Sequence, residues 1–165
     1  MILFDPPVLI KGNYALENFN SGEPLLDEWL KRRAISSLES GASRTYVVCL
    51  KGKFDVVGYF SLSMGQILAS ETTGSMRRNM PNQIPAVVLG RLAIDQAWQG
   101  KGLGRALIFD AMRRSLLASQ EIAARLLIVH AISPAAESFY LHHGFTRLPA
   151  KNPFFALDLV KYQAL

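Results

Sequence analysis

The second half of the chain consists of short apolar runs that alternate with segments of helical periodicity. The pattern predicts, in order, a strand over 87–94, a helix over 103–120, a strand over 125–132, a short helix from Ser133 to His142 or His143, and a strand over 154–160. The runs at 87–94 and 125–132 are mostly apolar, which is typical of strands covered on both faces. Ser133 is a preferred N-cap, Pro134 suits the first helical position, and Gly144 is a stop signal.

The first half predicts one long helix followed by a hairpin. The predicted elements are a helix over 23–38, strands over 46–50 and 56–64, a turn at 51–53 that joins these strands, and a polar, irregular segment over 69–83. This order of elements indicates a mixed α and β protein. The length of 165 residues indicates a single domain over residues 1–165.

Composition and charge narrow the class of protein. Half of the residues are hydrophobic, and the net charge is +5. The apolar excess suggests surface reserved for a partner or a second copy, and the positive charge favours a polyanionic ligand. The apolar runs are too short to cross a bilayer, and the first residues lack the pattern of a signal peptide. The single cysteine, Cys49, lies in a strand-like run, so we expect it to be buried, and a lone cysteine fits a cytoplasmic protein.

A glycine-rich segment joins the strand at 87–94 to the helix that follows it. Its sequence is Gln99-Gly100-Lys101-Gly102-Leu103-Gly104. Glycines leave backbone N–H groups uncovered, and the dipole at a helix N-terminus favours negative charge, so this arrangement is typical of a phosphate cradle. The spacing fits neither a P-loop nor a dinucleotide fingerprint. An ordinary glycine turn between a strand and a helix would give the same local pattern.

Several motifs in the same order resemble the GNAT superfamily of acetyl-CoA-dependent N-acetyltransferases. They are the apolar strand leading into Gln99-x-x-Gly102-x-Gly104, the second apolar strand, and the segment from Ala135 to Phe145. Segments of the first half, including 23–33, 41–45, 77–81 and 88–93, are similar to the TacT-like toxins of toxin–antitoxin modules. The resemblance implies a central, mostly antiparallel sheet that is splayed between strands four and five and flanked by helices.

The resemblance also implies a site for acetyl-CoA. Backbone groups of Leu92, Ala93 and Ile94 would bind the pantetheine arm, and one of their N–H groups would reach the thioester oxygen. Gln99, Gly100, Lys101, Gly102, Leu103, Gly104 and Arg105 would hold the pyrophosphate. The alternative for the strand residues is an ordinary core strand, which we expect to hold for the side chains of Leu92 and Ile94. Lys101 is equally well explained as a solvated loop lysine.

Tyr140 is the candidate general acid. A phenol with a pKa of about 10 matches a thiolate leaving group whose thiol has a pKa of about 8.5. The alternative is a packed aromatic residue beside Phe139. The strand at 87–94 carries no carboxylate before Asp95, so no general base is apparent. An α-amine with a pKa of about 8 needs a base less than a lysine with a pKa of about 10.4 does, which favours an aminoacyl substrate.

The first-half resemblance implies that the acceptor is aminoacyl-tRNA. It also implies a ribbon-helix-helix antitoxin as partner and a homodimer. Arg77, Arg78 and Arg91 are the candidates for contacts to RNA, with a solvated surface as the alternative.

The three histidines do not predict a metal site, and no metal is expected. His142 and His143 are adjacent, so on a helix they point about 100 degrees apart. His130 lies in a predicted buried strand, where a satisfied core histidine is expected.

Three functions are compatible with the sequence. The first is an acetyltransferase toxin that acetylates the α-amine of aminoacyl-tRNA and so blocks translation. The second is an N-acetyltransferase of a small-molecule or protein amine. The third is a non-catalytic module that binds acyl-CoA or RNA, which would have no turnover to lose when Tyr140 is mutated.

Overall fold

The computed structural model describes residues 3–163, the side chain of Gln163 apart. The strands are β1 (Val8–Leu9), β2 (Arg44–Cys49), β3 (Val56–Leu68), β4 (Gln83–Ile94), β5 (Leu126–His130), β6 (Thr146–Arg147) and β7 (Phe154–Asp158). The helices are α1 (Pro24–Arg32), α2 (Ala34–Ser40), α3 (Gly74–Arg77), α4 (Leu103–Glu121), α5 (Pro134–His142) and α6 (Leu159–Gln163). Short 3₁₀ turns occupy Ala69–Glu71 and Gln96–Trp98.

The strands form one 7-stranded sheet in the order β1-β2-β3-β4-β5-β7-β6. The sheet is mostly antiparallel, and β4 and β5 form its one parallel pair among the described residues. Pairing of β4 with β5 runs from Ala86↔Leu126 to Leu89↔Val129, whereas β4 itself continues to Ile94. The predicted mixed α and β class is therefore confirmed. Strand β4 pairs with β5 over only part of its length, as expected for a sheet that is splayed between strands four and five.

Backbone proximity divides the chain into two compact units. The first consists of the residues up to Ser63 together with Gly90–Asp110. One apolar cluster of its core, on which α1 and α2 pack, consists of Ile10, Phe19, Leu30, Ala34, Val47, Cys49, Val56, Tyr59 and Ala93. Cys49 is buried, as predicted, and burial raises the pKa of its thiol to about 11.

The second unit consists of Met64–Leu89 and the residues from Ala111 onward. Its core cluster contains Ile67, Met76, Ile84, Ala86, Leu126, Ile128, Leu148 and Ala156. This unit contains a partly buried ion pair, in which Arg125 Nε lies 2.9 Å from Asp158 Oδ1 and Arg125 Nη2 lies 3.0 Å from Asp158 Oδ2. A single domain over residues 1–165 stays a prediction.

Several predicted elements have different boundaries in the structure: β3 continues to Leu68, β4 already begins at Gln83, and the helix α3 lies in the segment that was predicted to be irregular. The helix predicted over 23–38 is two helices, because Arg33 leaves helical geometry with φ −122 and ψ −25. The strand predicted over 154–160 ends at Asp158, and Val160 lies in α6. The Asp158 carboxylate, already held by Arg125, accepts a hydrogen bond from Val160 N–H at 3.2 Å, which favours a helical turn at that point.

The prediction for His130 is wrong. Its side chain is exposed at the end of β5, where its ring packs against Phe154 with the centroids 5.1 Å apart. The two-residue strands β1 and β6 were not predicted, since so short a segment carries no periodicity. No helix in residues 3–163 has the length and apolarity that a membrane span requires.

Candidate functional site

The last five residues of β4 differ from the part that pairs with β5. Ala93 is 5% exposed and belongs to the core of the first unit, whereas Leu92 and Ile94 are only half-buried. The expectation that the Leu92 and Ile94 side chains are core residues is therefore correct only in part. Beyond Leu89, this stretch has no ladder partner in β5 among the described residues. Its backbone groups on that edge are therefore available to a ligand.

Gln99 holds the start of the glycine-rich segment in place. Its Nε2 donates hydrogen bonds to the carbonyl oxygens of Ile94, at 2.8 Å, and Ser21, at 3.0 Å. Both amide hydrogens are thereby used. The side-chain amide nitrogen of Gln99 is thus a structural tether.

The glycines that follow adopt a geometry that other residues disfavour. Gly100 and Gly102 have φ values of +75 and +83, and a Cβ on either would point into open space. Residue 102 precedes α4, whose first N–H groups lack partners within the helix. Lys101 and Arg105 are exposed, and the Arg105 guanidinium lies 5.3 Å from the centroid of the Phe109 ring. The segment therefore has the shape and charge of an anion cradle.

Asp95, the first carboxylate after β4, is occupied by the backbone. Its Oδ1 accepts from Ala97 N–H at 2.9 Å and its Oδ2 from Asn20 N–H at 3.0 Å. Both bonds fix the turn after β4. Asp95 therefore has a structural role in this turn.

Tyr140 lies in α5, which begins as predicted. The Ser133 hydroxyl accepts from Ala136 N–H at 3.1 Å, and Pro134 is the first helical residue. The Tyr140 side chain is 6% exposed, yet its hydroxyl has no hydrogen-bond partner in the described part of the chain. Its ring lies among other aromatic rings, those of Phe139, Phe145 and Phe155.

This apolar environment sets the protonation state of Tyr140. Burial raises the pKa of its phenol above the ordinary value, so the hydroxyl keeps its proton at neutral pH. The hydroxyl oxygen itself is not enclosed, so it can meet water or a ligand although the ring is buried. The packed-aromatic and general-acid interpretations are therefore both compatible with Tyr140.

Arg91 is the only one of the candidate RNA-binding arginines that is half-buried. Its guanidinium lies over the ring of Trp29, 4.0 Å from the centroid. Trp29 in turn stacks on Tyr59, with the ring centroids 6.0 Å apart and the planes at 12°. Burial lowers the pKa of Arg91 below its ordinary value, and at neutral pH the group remains a cation.

Arg77 and Arg78 lie on the surface of the second unit. Arg77 ends α3, and its Nη1 donates to the Thr72 carbonyl at 3.0 Å, which leaves its other donors unused. Arg78 follows the helix and is exposed. The next residue, Asn79, has a positive φ of 63, so the chain turns sharply directly after the two arginines.

No group of three or more potential metal ligands among His, Cys, Asp and Glu occurs within residues 3–163. His142 and His143 have their ring centroids 5.0 Å apart. Trp29 and Tyr59 were missed as site residues. A Trp in a predicted helix and a Tyr in a predicted strand carry no signal that they meet around Arg91.

The fold and these segments define an acetyltransferase of the GNAT class. The family model described as acetyltransferase (GNAT) domain matches residues 43–147, and the chain belongs to this family and is an N-acetyltransferase. The match includes segments of both units.

Individual relatives have functions that are more specific than that of the family as a whole. The chain is 40% identical, over 87% of its length and 85% of the relative, to a tRNA-acetylating toxin of Mycobacterium tuberculosis. Its structure is similar to that of AtaT complexed with acetyl-methionyl-tRNAfMet, with a TM-score of 0.90, 26% identity and 98% of both chains covered. It is also similar to a tyrosine-to-phenylalanine mutant of the AtaT toxin bound to the C-terminus of the antitoxin AtaR and acetyl-CoA, with a TM-score of 0.83, 26% identity and coverage of 98% of this chain and 96% of that one.

Proposed function

We propose that this protein is a toxin that transfers the acetyl group of acetyl-CoA to the α-amine of aminoacyl-tRNA. The observation that carries the proposal is the 40% identity to a tRNA-acetylating toxin over most of both chains. An acetylated α-amine is no longer nucleophilic, so the aminoacyl group cannot accept the growing peptide. Translation therefore stops.

Acetyl-CoA is assigned to the end of β4 and the glycine-rich segment. The unpaired edge of Leu92, Ala93 and Ile94 supplies backbone hydrogen bonds for the pantetheine arm, and one N–H stabilises the oxyanion that develops on the thioester. The positive-φ glycines Gly100 and Gly102, with Gly104 and the first turn of α4, receive the pyrophosphate. Gln99 fixes this segment through its two carbonyl contacts, and Lys101 and Arg105 add positive charge.

Tyr140 is assigned as the general acid. Its phenol remains protonated at neutral pH, and its hydroxyl has no competing partner among the described residues. Apolar surroundings raise the pKa of a departing thiolate as well as that of the phenol, so proton transfer between the two stays nearly balanced. The amine needs little help, because an α-amine with a pKa of about 8 is partly neutral at pH 7.

Arg77, Arg78 and Arg91 are assigned to the RNA. The first two are exposed on a sharply turned segment and act through charge, which attracts phosphates without reading sequence.

The partners and setting follow from the same assignment. We propose a ribbon-helix-helix antitoxin that neutralises the toxin, as the resemblance implies, and a homodimer. Exposed apolar side chains such as Leu25, at 86%, and Ile122, at 70%, support an oligomer. Since charged tRNA is the substrate, the protein acts in the cytoplasm.

The decisive experiment supplies purified protein and radiolabelled acetyl-CoA with charged tRNA, uncharged tRNA, free amino acids and polyamines. The expected result is label on charged tRNA alone, at the α-amine. Label on free amino acids or polyamines, with none on charged tRNA, overturns the proposal and favours the small-amine enzyme. No transfer to any acceptor, with acetyl-CoA still bound, favours the non-catalytic module.

The role of Arg77 and Arg78 is tested by the salt dependence of tRNA binding. In the Arg77→Ala/Arg78→Ala variant, the slope of log K against log salt should flatten by about two contacts. Lys51→Ala/Lys53→Ala removes the same charge from the exposed hairpin turn of the first unit and is the matched control. Equal flattening in both variants means that only net charge matters and contradicts the assignment.

A further inference from the structure

The guanidinium of Arg91 is held by stacking on an aromatic ring, whereas its hydrogen-bond donors lack an acceptor among the described residues. Its guanidinium rests on the Trp29 ring at 4.0 Å and also interacts electrostatically with Tyr59 beneath that ring. It has neither an ion pair nor a hydrogen-bond acceptor within the described chain. The five N–H donors of this half-buried cation therefore have no acceptor among the residues that the structure describes.

The surface under Arg91 is rigid. Trp29 stacks on Tyr59, which is 0% exposed, and the Tyr59 hydroxyl donates to the Leu26 carbonyl at 2.7 Å. The contact ties the strand residue Tyr59 to the helix that carries Trp29. An arginine stacked on such a surface keeps its planar fork in one orientation, whereas a free surface arginine samples many.

The carboxylate of Asp27, which like Arg91 acts on Tyr59, is held by its own hydrogen bonds. Asp27 is 8% exposed, and its Oδ1 accepts from the Ser21 hydroxyl at 2.6 Å and from Ser21 N–H at 3.0 Å. Asp27 therefore caps its own segment. A cation that the fold orients and does not pair is an anion receptor, because removing the charge from water without a partner is otherwise unfavourable.

The position of Arg91 indicates which anion it receives. It lies on the same strand as Leu92 to Ile94, so along the backbone it is within roughly 10 Å of the segment assigned to the thioester. An anion bound there belongs to the part of the acceptor substrate next to the reacting amine. A free amino acid would present its carboxylate, but in aminoacyl-tRNA that carboxyl group is esterified and neutral. The nearest anion is then the phosphodiester of the terminal nucleotide.

We propose that Arg91, held flat on Trp29, receives the terminal phosphodiester of the acceptor and thereby makes aminoacyl-nucleotides, rather than free amines, the preferred substrates. This inference rests on the proposed function. The three arginines then have different roles. Arg77 and Arg78 supply long-range attraction for the RNA, whereas Arg91 orients the aminoacyl end that reacts. A planar guanidinium makes two parallel hydrogen bonds to a phosphate, which a lysine does not reproduce. Trp29 acts as a positioning residue through Arg91.

The test compares an acceptor that carries the terminal phosphodiester with one that lacks it. One is an aminoacylated CCA trinucleotide, and the other is the corresponding aminoacyl-adenosine, which has no phosphate. For the wild-type protein kcat/KM is expected to be higher on the trinucleotide. Arg91→Ala should lose roughly 10- to 100-fold on the trinucleotide, the usual range for hydrogen bonds to a charged group, and little on aminoacyl-adenosine. Arg91→Lys should lose about 10-fold on the trinucleotide while keeping the salt slope of tRNA binding, because its charge is unchanged.

Trp29→Leu tests the positioning role. It should reduce the preference for the trinucleotide in the same way as Arg91→Ala and leave the affinity for acetyl-CoA unchanged. Arg44→Ala, on the exposed start of β2, is the control for loss of a positive charge. Thermal unfolding and acetyl-CoA binding of each variant establish that it is folded.

The outcomes separate this inference from the proposed function. If the wild-type protein acetylates neither charged tRNA nor the two fragments, the proposed function fails. If it acetylates them and Arg91→Ala loses equally on both fragments, then the phosphate receptor is wrong while the proposed function stands. Unchanged kcat/KM in Arg91→Ala on both fragments also overturns the receptor.

Discussion

The two parts of the candidate site differ in the kind of chemical group that they present to a ligand. The segment from Leu92 to Arg105 presents backbone groups: an unpaired strand edge, positive-φ glycines and the first turn of a helix. Tyr140 presents one hydroxyl from a side chain that is 6% exposed and surrounded by aromatic rings. The first part tolerates changes of side chain wherever the backbone geometry survives. The second depends on a single oxygen atom.

The largest effect is expected where that oxygen is removed. Tyr140→Phe keeps the ring and its contacts with Phe139, Phe145 and Phe155 but removes the acid. We expect kcat to fall by about 10²- to 10⁴-fold, the usual contribution of general acid catalysis, with the affinity for acetyl-CoA nearly unchanged. Single-turnover kinetics with saturating acetyl-CoA measure the chemical step. Tyr14→Phe, at a half-buried tyrosine of the first unit, is the control. A wild-type rate in Tyr140→Phe would remove Tyr140 from the mechanism.

The glycine cradle is expected to respond to conformation and charge. In Gly102→Ala, holding residue 102 at a φ of +83 costs about 1–2 kcal/mol of strain. Since acetyl-CoA binding requires this loop conformation, the affinity for acetyl-CoA should fall by about 5- to 30-fold. Gly102→Glu adds a carboxylate where a phosphate is expected, so it should bind at least about 100-fold more weakly than the wild type. Calorimetric titration with acetyl-CoA measures both.

Gly52→Ala is the matched control for the cradle. Gly52 has a φ of +72 in the turn between β2 and β3, and a Cβ there also meets nothing within 4 Å. The substitution introduces similar strain away from the ligand, so stability should fall and acetyl-CoA affinity should not. If Gly102→Glu binds acetyl-CoA as the wild type does, the pyrophosphate lies elsewhere.

A smaller effect is expected at Gln99, where a side chain supports the backbone-built part. Gln99→Met removes the hydrogen bonds to the Ser21 and Ile94 carbonyls. The free energy of unfolding should decrease by about 1–3 kcal/mol, and acetyl-CoA affinity should fall only as far as the loop loosens. Urea unfolding and calorimetry measure the two quantities, with Gln120→Met on the exposed face of α4 as control. Wild-type stability in Gln99→Met would show that the tether contributes nothing.

The sequence predicted the fold wherever periodicity or punctuation was strong. The helix α5 began at Pro134 as expected because Ser133 and Pro134 act locally. The break at Arg33 was not predictable, because the residues on both sides of it favour helix. The end of β7 depends on the Asp158 carboxylate, which is held by Arg125, the residue directly before β5. The wrong prediction for His130 has the same origin, since exposure at the last residue of β5 is set by what packs around it.

In the candidate site, too, local features could be predicted from the sequence, whereas contacts between distant residues could not. The glycines were found from the sequence, because positive φ restricts which residues are tolerated and so leaves a spacing signal. The tether made by Gln99 and the stack of Arg91, Trp29 and Tyr59 join residues far apart in the chain. Side-chain contacts of that kind leave no spacing signal. Tyr140 was chosen by resemblance to a family, and its position alone did not distinguish an acid from a packed aromatic residue.

The smallest expected effect is the pH dependence of the chemical step, and it tests whether the Tyr140 environment works as described. Burial raises the pKa of the Tyr140 phenol above its ordinary value, so the protonated acid persists to higher pH than a free tyrosine would allow. The acceptor amine must be neutral, so the rate should rise about tenfold per pH unit below the amine pKa of about 8 and then level off. No descending limb is expected up to about pH 10. An aminoacyl-nucleotide joined by an amide rather than an ester avoids hydrolysis of the acceptor in the alkaline range. A descending limb near pH 9 that disappears in Tyr140→Phe would show that the phenol titrates early, contrary to its burial. Such a limb in both proteins would assign the loss to another group and leave the protonation state of Tyr140 as described.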